Sequence, residues 1–271
     1  MLPRVEPQQA EHPLGAYEQS MAVQLRGLAK RFESVVAVAG VDLDVPRGRF
    51  FGLVGPNGAG KTTTLAMVTG LLRPDSGHAR VDGIDVWSQP LLARARMGVL
   101  PEGLRLFERL SGRELLHFTG LLRGMDPVEV DERAGELLAV LGLTSAGDQL
   151  VVDYSTGMRK KVALAAALLH NPPVLFLDEP FEAVDPVSAR TIREVLRAFT
   201  GRGGTVVFSS HVMELVERIC DDVAVMAQGR VLAAGSIEVV RGGRPLEEVF
   251  VELVGGVIAP GEGGLNWLGS H

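Results

Sequence analysis

Residues 55–62 decide the fold, and they read Gly55-Pro56-Asn57-Gly58-Ala59-Gly60-Lys61-Thr62. A continuous apolar run precedes them, and helix formers follow over residues 61–72. Glycines let backbone N–H groups wrap a phosphate without Cβ clashes, and a helix N-terminus adds a dipole that favours anions. This full match to the phosphate-loop pattern predicts a nucleotide site. Lys61 is expected to reach the β- and γ-phosphates, the Thr62 hydroxyl to ligate Mg²⁺, and Thr63 to complete the loop.

A second motif is the apolar run 174–177, which ends in the two carboxylates Asp178 and Glu179. In a parallel sheet, ligands bind at the carboxyl ends of the strands. Asp178 is therefore expected to face the Mg²⁺ at Thr62, directly or through water. Glu179 is expected to orient or deprotonate an attacking water.

The order of the segments favours an α/β fold. Apolar runs at 174–177, 205–209 and 223–226 alternate with helical segments at 186–200 and 212–220, which predicts a mainly parallel sheet covered on both faces. Residues 23–28 and 35–45 alternate as half-buried strands do. Helices are expected at 112–122, 127–141, 158–170 and 245–254, the third of them ended by Asn171-Pro172-Pro173. Residues 1–21 are interpreted as a flexible tail.

Composition restricts the partners. The formal net charge is -6 and no block of Lys and Arg stands out, so a nucleic-acid partner is not expected. The single cysteine, Cys220, fits a reducing compartment. No apolar stretch reaches the roughly 20 residues of a membrane-spanning helix, and the N-terminus lacks a signal-like apolar run. We therefore expect a cytoplasmic protein whose membrane role comes through a partner.

Further motifs carry a family resemblance. Tyr154-Ser155-Thr156-Gly157-Met158 opens a helix about twenty residues before the acidic strand end, and Asp185 and His211 follow in order. With the phosphate loop, this ordered set resembles the ATP-binding subunits of ABC transporters, particularly bacterial exporter types, over about residues 22–250. The resemblance implies an ATPase with a RecA-like lobe, an antiparallel sheet near residues 22–50 and 77–86, and a helical lobe at about 103–169. The nucleotide-binding domain would span 22–235, with a C-terminal extension at 236–271.

The resemblance also implies roles for individual residues. Phe32 falls where the family has an aromatic that stacks on adenine; the alternative is a core aromatic. Ser155 and Gly157 fall on the signature that contacts the γ-phosphate bound to the other subunit. His211 falls on the switch histidine that touches the γ-phosphate and the attacking water, and Asp185 falls on the loop that links the two ATP sites.

The chain departs from the family pattern at several positions. Tyr154, Thr156 and Met158 replace the Leu, first Gly and Gln of the usual Leu-Ser-Gly-Gly-Gln signature. Glu102 stands where the loop joining the lobes usually carries Gln, and Glu182-Ala183 stands where Ser-Gly is common. Glutamate can bind Mg²⁺ through oxygen, but it adds negative charge beside phosphates and cannot donate an amide hydrogen bond.

The resemblance further implies two ATP sites between two copies, or between this chain and a paralogue. Each site would combine Lys61, Glu179 and His211 as catalytic groups with Mg²⁺ held by Thr62, Glu102 and Asp178. A separate integral membrane permease would dock on residues 103–118, which carry Leu104, Leu106, Phe107 and Leu110. The alternative for these four side chains is that they pack in the helical lobe.

Two other classes remain as alternatives. One is a soluble ABC ATPase that serves DNA repair, translation or cofactor assembly. The lack of a long coiled-coil insertion and of a second ATPase copy argues against the first two, but not against cofactor assembly. The other is a P-loop kinase or GTPase. This class is disfavoured by the presence of His211, Ser155 and Gly157 and by the absence of a guanine-reading Asn-Lys-x-Asp stretch.

Overall fold

The computed structural model describes residues 20–103 and 105–254. Ten strands form two sheets in this part of the chain. The strands are β1 (Met21–Phe32), β2 (Val35–Pro46), β3 (Phe50–Val54), β4 (Ser76–Val81), β5 (Ile84–Asp85), β6 (Met97–Leu100), β7 (Val174–Leu177), β8 (Thr205–Ser210), β9 (Asp222–Ala227) and β10 (Arg230–Ser236). The α-helices are α1 (Lys61–Val68), α2 (Pro90–Ala95), α3 (Gly112–Leu122), α4 (Pro127–Val140), α5 (Thr156–Leu168), α6 (Pro186–Gly201), α7 (Met213–Ile219), α8 (Ile237–Arg241) and α9 (Leu246–Leu253).

The larger sheet has six strands in the order β10-β9-β3-β8-β7-β6. All its pairs are parallel except β9 with β10, which confirms the mainly parallel sheet predicted from the alternating apolar runs. Val54 pairs with Ser210, and Leu177 pairs with Phe208, so three strands end at the same edge. The phosphate loop, the acidic pair and the segment before His211 all leave the sheet at this edge.

The smaller sheet is antiparallel, in the order β2-β1-β4-β5, as the resemblance implied. It meets the phosphate loop through β2, because a Cβ on Gly60 would lie 2.5 Å from the Ala37 carbonyl oxygen. The smaller sheet is therefore packed directly against the phosphate loop.

Side chains that alternate along the strands divide the interior into two cores. On β3, Phe50 and Val54 face one cluster, whereas Phe51 and Leu53 face the other. The first cluster contains the apolar faces of α3, α4 and α5, and the second contains those of β1, β2 and α1. A strand buried on both faces must be apolar throughout, which is why β3 lacks the alternation of a half-buried strand.

Local signals set the ends of several helices. Ser111 and Glu114 form a capping box at the start of α3, with both reciprocal hydrogen bonds present. Asp126 caps α4 and Asp185 caps α6, and each is followed by a proline at the first helical position. These caps account for the close agreement between the predicted and observed starts of the three helices.

Other elements differ from the sequence prediction. α1 ends at Val68 rather than Leu72, because Thr69 caps it and Gly70 follows with φ of 73°. The strands β6 and β10 and the helix α2 were not anticipated, since each is short or lacks a clear period. β1 begins at Met21, one residue inside the expected tail, and residues 1–19 lie outside the described residues.

The segment expected as a C-terminal extension begins with α8 and α9, which pack on the first core. Leu246 is completely buried, and Phe250 and Val240 pack against the same cluster. Residues 255–271 lie outside the described residues. The described part of this segment is thus joined to the domain by apolar packing.

The Phe208 side chain offers a test of this core. It is fully buried on the central strand β8 and makes edge contacts with Phe50 and Phe181. We expect Phe208→Ala to lower the free energy of unfolding by about 3–5 kcal/mol, because it removes apolar contacts and leaves a cavity. Phe107→Ala is the matched control, since that ring is 56% exposed. Urea unfolding measures both, and equal losses would contradict the assignment of Phe208 to the core.

Candidate functional site

The phosphate loop joins β3 to α1 in a conformation that needs glycine. Gly60 has φ of 101°, and a Cβ on Gly55 would lie 2.2 Å from the Met226 carbonyl oxygen. No side chain caps α1, so its first N–H groups have no side-chain acceptor at the cap. Pro56, Asn57, Gly58 and Ala59 complete the loop in the turn between the two glycines. Backbone donors at a helix N-terminus are the groups that bind phosphate.

Lys61 is buried at the first position of α1. Its ammonium donates to the carbonyl oxygens of Gly55 at 2.8 Å and Pro56 at 3.2 Å. It also lies 3.7 Å from Oε1 of Glu179. A cation is thus held between the phosphate loop and the acidic strand end, within reach of both.

Oxygen ligands gather beside the phosphate loop. The Thr62 hydroxyl lies within hydrogen-bonding reach of Asp178 and of Oε2 of Glu102, the latter 3.1 Å away, and its single proton can be donated to one of the two carboxylates at a time. Burial raises the pKa of Asp178, and Glu102 and Glu179 add to the rise, whereas hydrogen bonds from Ser209 and Thr62 oppose it. A divalent cation here would relieve the cost of ionising this buried carboxyl.

This donor set fits Mg²⁺, which prefers oxygen ligands and is usually held by one or two carboxylates together with substrate phosphates. Among the described residues, no group of three or more His, Cys, Asp and Glu side chains is placed to hold a metal by itself. The three side chains Thr62, Glu102 and Asp178 would therefore need phosphate oxygens to complete a magnesium site.

Glu179 lies directly after Asp178 in a strained backbone conformation. Its φ is 45°, which costs a residue with a Cβ on the order of 1 kcal/mol. The Glu179 N–H donates to Oγ of Ser209 at 2.9 Å, and its carbonyl accepts from Nζ of Lys160 at 2.6 Å. Oε2 of Glu179 lies 3.2 Å from Nδ1 of His211. The site thus brings together Lys61, Glu179 and His211, the three predicted catalytic groups.

A second cluster forms around the start of α5. The Ser155 hydroxyl caps this helix by accepting from the Met158 N–H. A Cβ on Gly157 would lie 2.7 Å from Oδ2 of Asp185 and 2.7 Å from Oγ of Ser188, so glycine is needed there for close packing. The backbone N–H and hydroxyl of Ser188 lower the pKa of Asp185. The cap of α6 and the start of α5 therefore form one packed unit.

Within the described residues of one chain, no hydrogen bond joins this second cluster to the phosphate loop. Ser155, Gly157 and Asp185 thus make no hydrogen bond to Lys61 or Thr62 there, although all five were expected to act on ATP.

Phe32 lies at the end of β1 and is 46% exposed, which rules out the alternative that it is a core aromatic. The Lys30 ammonium lies 5.7 Å from its ring centroid. The adjacent strand β2 touches the phosphate loop at Gly60 through Ala37. An exposed ring near the phosphate loop is available to stack on a base.

Two of the three departures from the usual signature, Tyr154 and Met158, have contacts that account for them, and nothing in the structure explains Thr156. Tyr154 is buried, and its hydroxyl donates to the Ala146 carbonyl at 2.7 Å, so it anchors the start of α5 in the helical lobe. Met158 packs against the first core. Ala183, where Gly is common, has φ of 54° and therefore carries strain that glycine would avoid.

The apolar side chains of segment 103–118 were expected either to dock a permease or to pack in the helical lobe, and the structure shows both buried and exposed ones. Leu106 and Leu110 pack against the first core, whereas Phe107 is 56% exposed and meets the partly exposed Phe118 edge-on at 5.2 Å between centroids. Leu104 lies outside the described residues. Of the four apolar side chains named from the sequence, Phe107 is thus the one available to a partner within the described residues.

Two residues of the site were not singled out from the sequence. Ser209 donates its hydroxyl to Asp178 while accepting from the Glu179 N–H, so it ties the two carboxylates together. Lys160 lies in the run Arg159-Lys160-Lys161 near the start of α5. Cations are disfavoured near a helix N-terminus, and this run could have signalled a specific acidic or carbonyl partner.

No helix in the described ranges has both the length and the apolar character needed to cross a membrane.

Comparison with known proteins identifies relatives over most of the chain. The family model described as ABC transporter matches residues 38–182. The daunorubicin/doxorubicin resistance ATP-binding protein DrrA of Streptomyces peucetius is 41% identical over 215 residues, which cover 79% of this chain and 65% of that protein. The Nod factor export ATP-binding protein I of Rhizobium sp. (strain N33) is 38% identical over 216 residues, which cover 80% and 71%.

A solved structure of an ATP-binding subunit of an ABC transporter superposes with a TM-score of 0.80 at 29% identity, covering 86% of this chain and 99% of that one. The fold class expected from the sequence is thereby confirmed, and so is the family resemblance. The matched region makes up just under two thirds of DrrA, so the relative contains sequence beyond it.

The position of Lys61 leads to a test of the phosphate loop. We expect Lys61→Ala to weaken ATP binding by about 10- to 100-fold, because a charge-assisted contact to the phosphates is lost. Titration with a fluorescent ATP analogue measures the affinity, and a melting curve verifies folding. Arg190→Ala is the control, because that side chain pairs with Glu194 on the exposed face of α6. Equal ATP affinity in Lys61→Ala and wild type would refute the assignment.

Proposed function

Because this chain belongs to the ABC transporter family, we propose that it binds and hydrolyses ATP to power a separate integral membrane permease, as part of an exporter. The observation that carries the proposal is the convergence of Lys61, Glu179 and His211 at the end of the phosphate loop. A cation for phosphate, a carboxylate and a switch-like histidine at one strand edge are the groups that γ-phosphoryl transfer to water requires.

Binding is assigned to the loop 55–63 together with Phe32. The loop N–H groups and Lys61 hold the phosphates, and the exposed Phe32 ring stacks on adenine. Thr62, Asp178 and Glu102 would hold Mg²⁺ together with the phosphates. When bound, this ion neutralises charge that develops on the transferring phosphoryl group.

The hydrolytic step is assigned to Glu179 and His211. Glu179 orients a water in line with the γ-phosphate and accepts its proton, while His211, 3.2 Å away, contacts the water and the γ-phosphate. The Ser209 bridge fixes the Glu179 backbone relative to Asp178. The attacking water and the metal site are therefore held in one geometry.

A second copy, or a paralogue, completes each site. Within the described residues, Ser155 and Gly157 make no hydrogen bond to the phosphate loop of their own chain, and the N-terminus of α5 can donate to a γ-phosphate held opposite. Asp185, packed against Gly157, then lies between the two sites. ATP binding would close the dimer head to tail, and hydrolysis would allow it to open.

The surface around Glu102 is proposed to receive the permease. Thr62, Glu102 and Asp178 line a cleft of about 560 Å³ together with apolar groups that include Leu65, Leu71 and Val99. The exposed Phe107 follows the same loop. A cytoplasmic helix of the permease seated there would sense movement of the loop when nucleotide binds. Through this contact the chain would lie peripherally on the inner face of the membrane.

The names of the two relatives, drug resistance for one and export for the other, favour transport over a soluble ATPase that serves cofactor assembly. They also favour outward movement of a small molecule as the direction of transport.

Glu179 provides the first test of this mechanism. We expect Glu179→Gln to retain ATP binding but to reduce turnover to a slow residual rate, because the amide keeps the shape and cannot accept a proton. An ATP-bound dimer should then accumulate on size-exclusion chromatography. Glu214→Gln, an exposed carboxylate on α7, is the matched control. Phosphate release at the wild-type rate by Glu179→Gln would remove the proposed base.

Phe107 provides the second test. We expect Phe107→Asp to abolish co-purification of a co-expressed permease, because a charge would replace an exposed apolar contact. The ATPase rate of the isolated chain should remain within about twofold of wild type, since surface substitutions rarely change stability by much. Val239→Asp, also at an exposed apolar residue, is the control. Unfolding of Phe107→Asp, or normal recovery of the permease, would place the docking site elsewhere.

A further inference from the structure

Lys160 connects the signature helix with the acidic strand end of the same chain. It lies on α5, five residues after the helix cap Ser155, and its ammonium donates to the Glu179 carbonyl oxygen at 2.6 Å. The side chain is half-buried. A lysine that reaches a backbone carbonyl across two elements gives up much of its hydration, so the contact must be compensated locally.

The compensation comes from four carboxylates. Burial lowers the pKa of Lys160, whereas the charges of Glu182, Glu179, Asp178 and Glu102 raise it. Glu102 and Glu182 are the two acidic departures from the family pattern, which usually has Gln and Ser there. This chain therefore concentrates more negative charge beside the phosphates than the usual pattern does, and Lys160 is a cation placed against that charge.

Glu179 needs a restraint on its backbone. Its left-handed φ of 45° is unfavourable for a residue with a Cβ and persists only where the surroundings impose it. Ser209 holds the N–H side of the residue. On the carbonyl side, Lys160 and the Glu182 N–H both donate, the latter at 3.2 Å. Removing Lys160 would leave the Glu179 carbonyl oxygen with only the longer hydrogen bond from the Glu182 N–H.

From this geometry we infer that Lys160 is a positioning residue for hydrolysis, which acts by holding the Glu179 carbonyl and so fixing the direction of the Glu179 carboxylate. The inference rests on the role proposed for Glu179. Lys160 touches neither the reacting water nor the phosphates; it sets the fraction of time that Glu179 spends in the productive orientation. Its loss should therefore lower kcat and leave ATP affinity nearly unchanged.

The test compares variants of the purified full-length chain. Lys160→Met removes the donor and the charge while keeping an unbranched side chain. We expect kcat to fall about tenfold or more with KM for ATP changed by less than about twofold, as for a lost charged hydrogen bond that acts in the transition state. Lys160→Arg, which restores a donor and a charge, should recover most of kcat.

Arg159→Met is the matched control. Arg159 is the preceding residue on α5, and it also bonds a carbonyl oxygen, that of Val152, and a carboxylate, that of Glu108. Within the described residues, none of these hydrogen bonds and ion pairs reaches Glu179. We expect this variant to retain kcat even where its melting temperature falls as far as that of Lys160→Met.

A double variant distinguishes the inference from the mechanism on which it rests. If Lys160 acts through Glu179, then Lys160→Met should not slow the residual single-turnover rate of Glu179→Gln any further. If the rate of the double variant falls by the product of the two single losses, the inference is wrong. Equal kcat losses in Lys160→Met and Arg159→Met would also overturn it, as would a raised KM with normal kcat in Lys160→Met. If Glu179→Gln is inactive and Lys160→Met is fully active, the positioning role of Lys160 is wrong but the proposed function stands.

Discussion

The parallel pairing of β3, β8 and β7 is the constraint on which the rest of the site depends. It aligns Val54 with Ser210 and Leu177 with Phe208, so that three chain segments leave the sheet side by side. Because β8 lies between the other two strands, Ser209 can reach both Asp178 and Glu179. A change of register by one residue would turn Ser209 to the other face of the sheet and separate the phosphate loop from the acidic pair.

Opposite charges are distributed around this edge in a definite order. Lys61 lies between the phosphate loop and the Glu179 carboxylate, and Lys160 donates to the backbone carbonyl oxygen of the same residue. The carboxylates of Glu102 and Asp178 face Thr62, where a divalent cation and phosphate would complete the balance. The candidate site therefore has acidic groups around Thr62 and a cation at Lys61, charges that suit the proposed binding of Mg²⁺ and ATP.

The helical region contributes to function through its attachment to the sheet. Tyr154 anchors the start of α5 in the helical core, and Gly157 fits against Asp185 at the start of α6. Lys160 then contacts Glu179 from the same helix. The same helix thus touches the surface that is proposed to meet a second copy and also Glu179, the proposed base, of its own chain. Movement of α5 cannot leave Glu179 unaffected while these contacts persist.

The sequence by itself determined the elements whose signals are local. The phosphate loop, the acidic strand end and the caps at Ser111, Asp126 and Asp185 depend on residue types at short spacings, so they could be predicted together with the α/β fold. Short elements such as β6 and β10 could not, because their strand conformation comes from pairing with neighbours that are distant in sequence.

Only the tertiary structure decided which side chains meet. The sequence left Phe32 either exposed or in the core, and packing resolved it as exposed. Tertiary packing also decided that Leu106 and Leu110 of segment 103–118 lie in the core and that Phe107 is exposed. The tertiary structure also brings Lys160 and Ser209 into hydrogen bonds with Glu179, from which they are separated by 19 and 30 residues in the sequence. Contacts of this kind depend on register and helix placement, which are set by burial over the whole domain rather than by any local pattern.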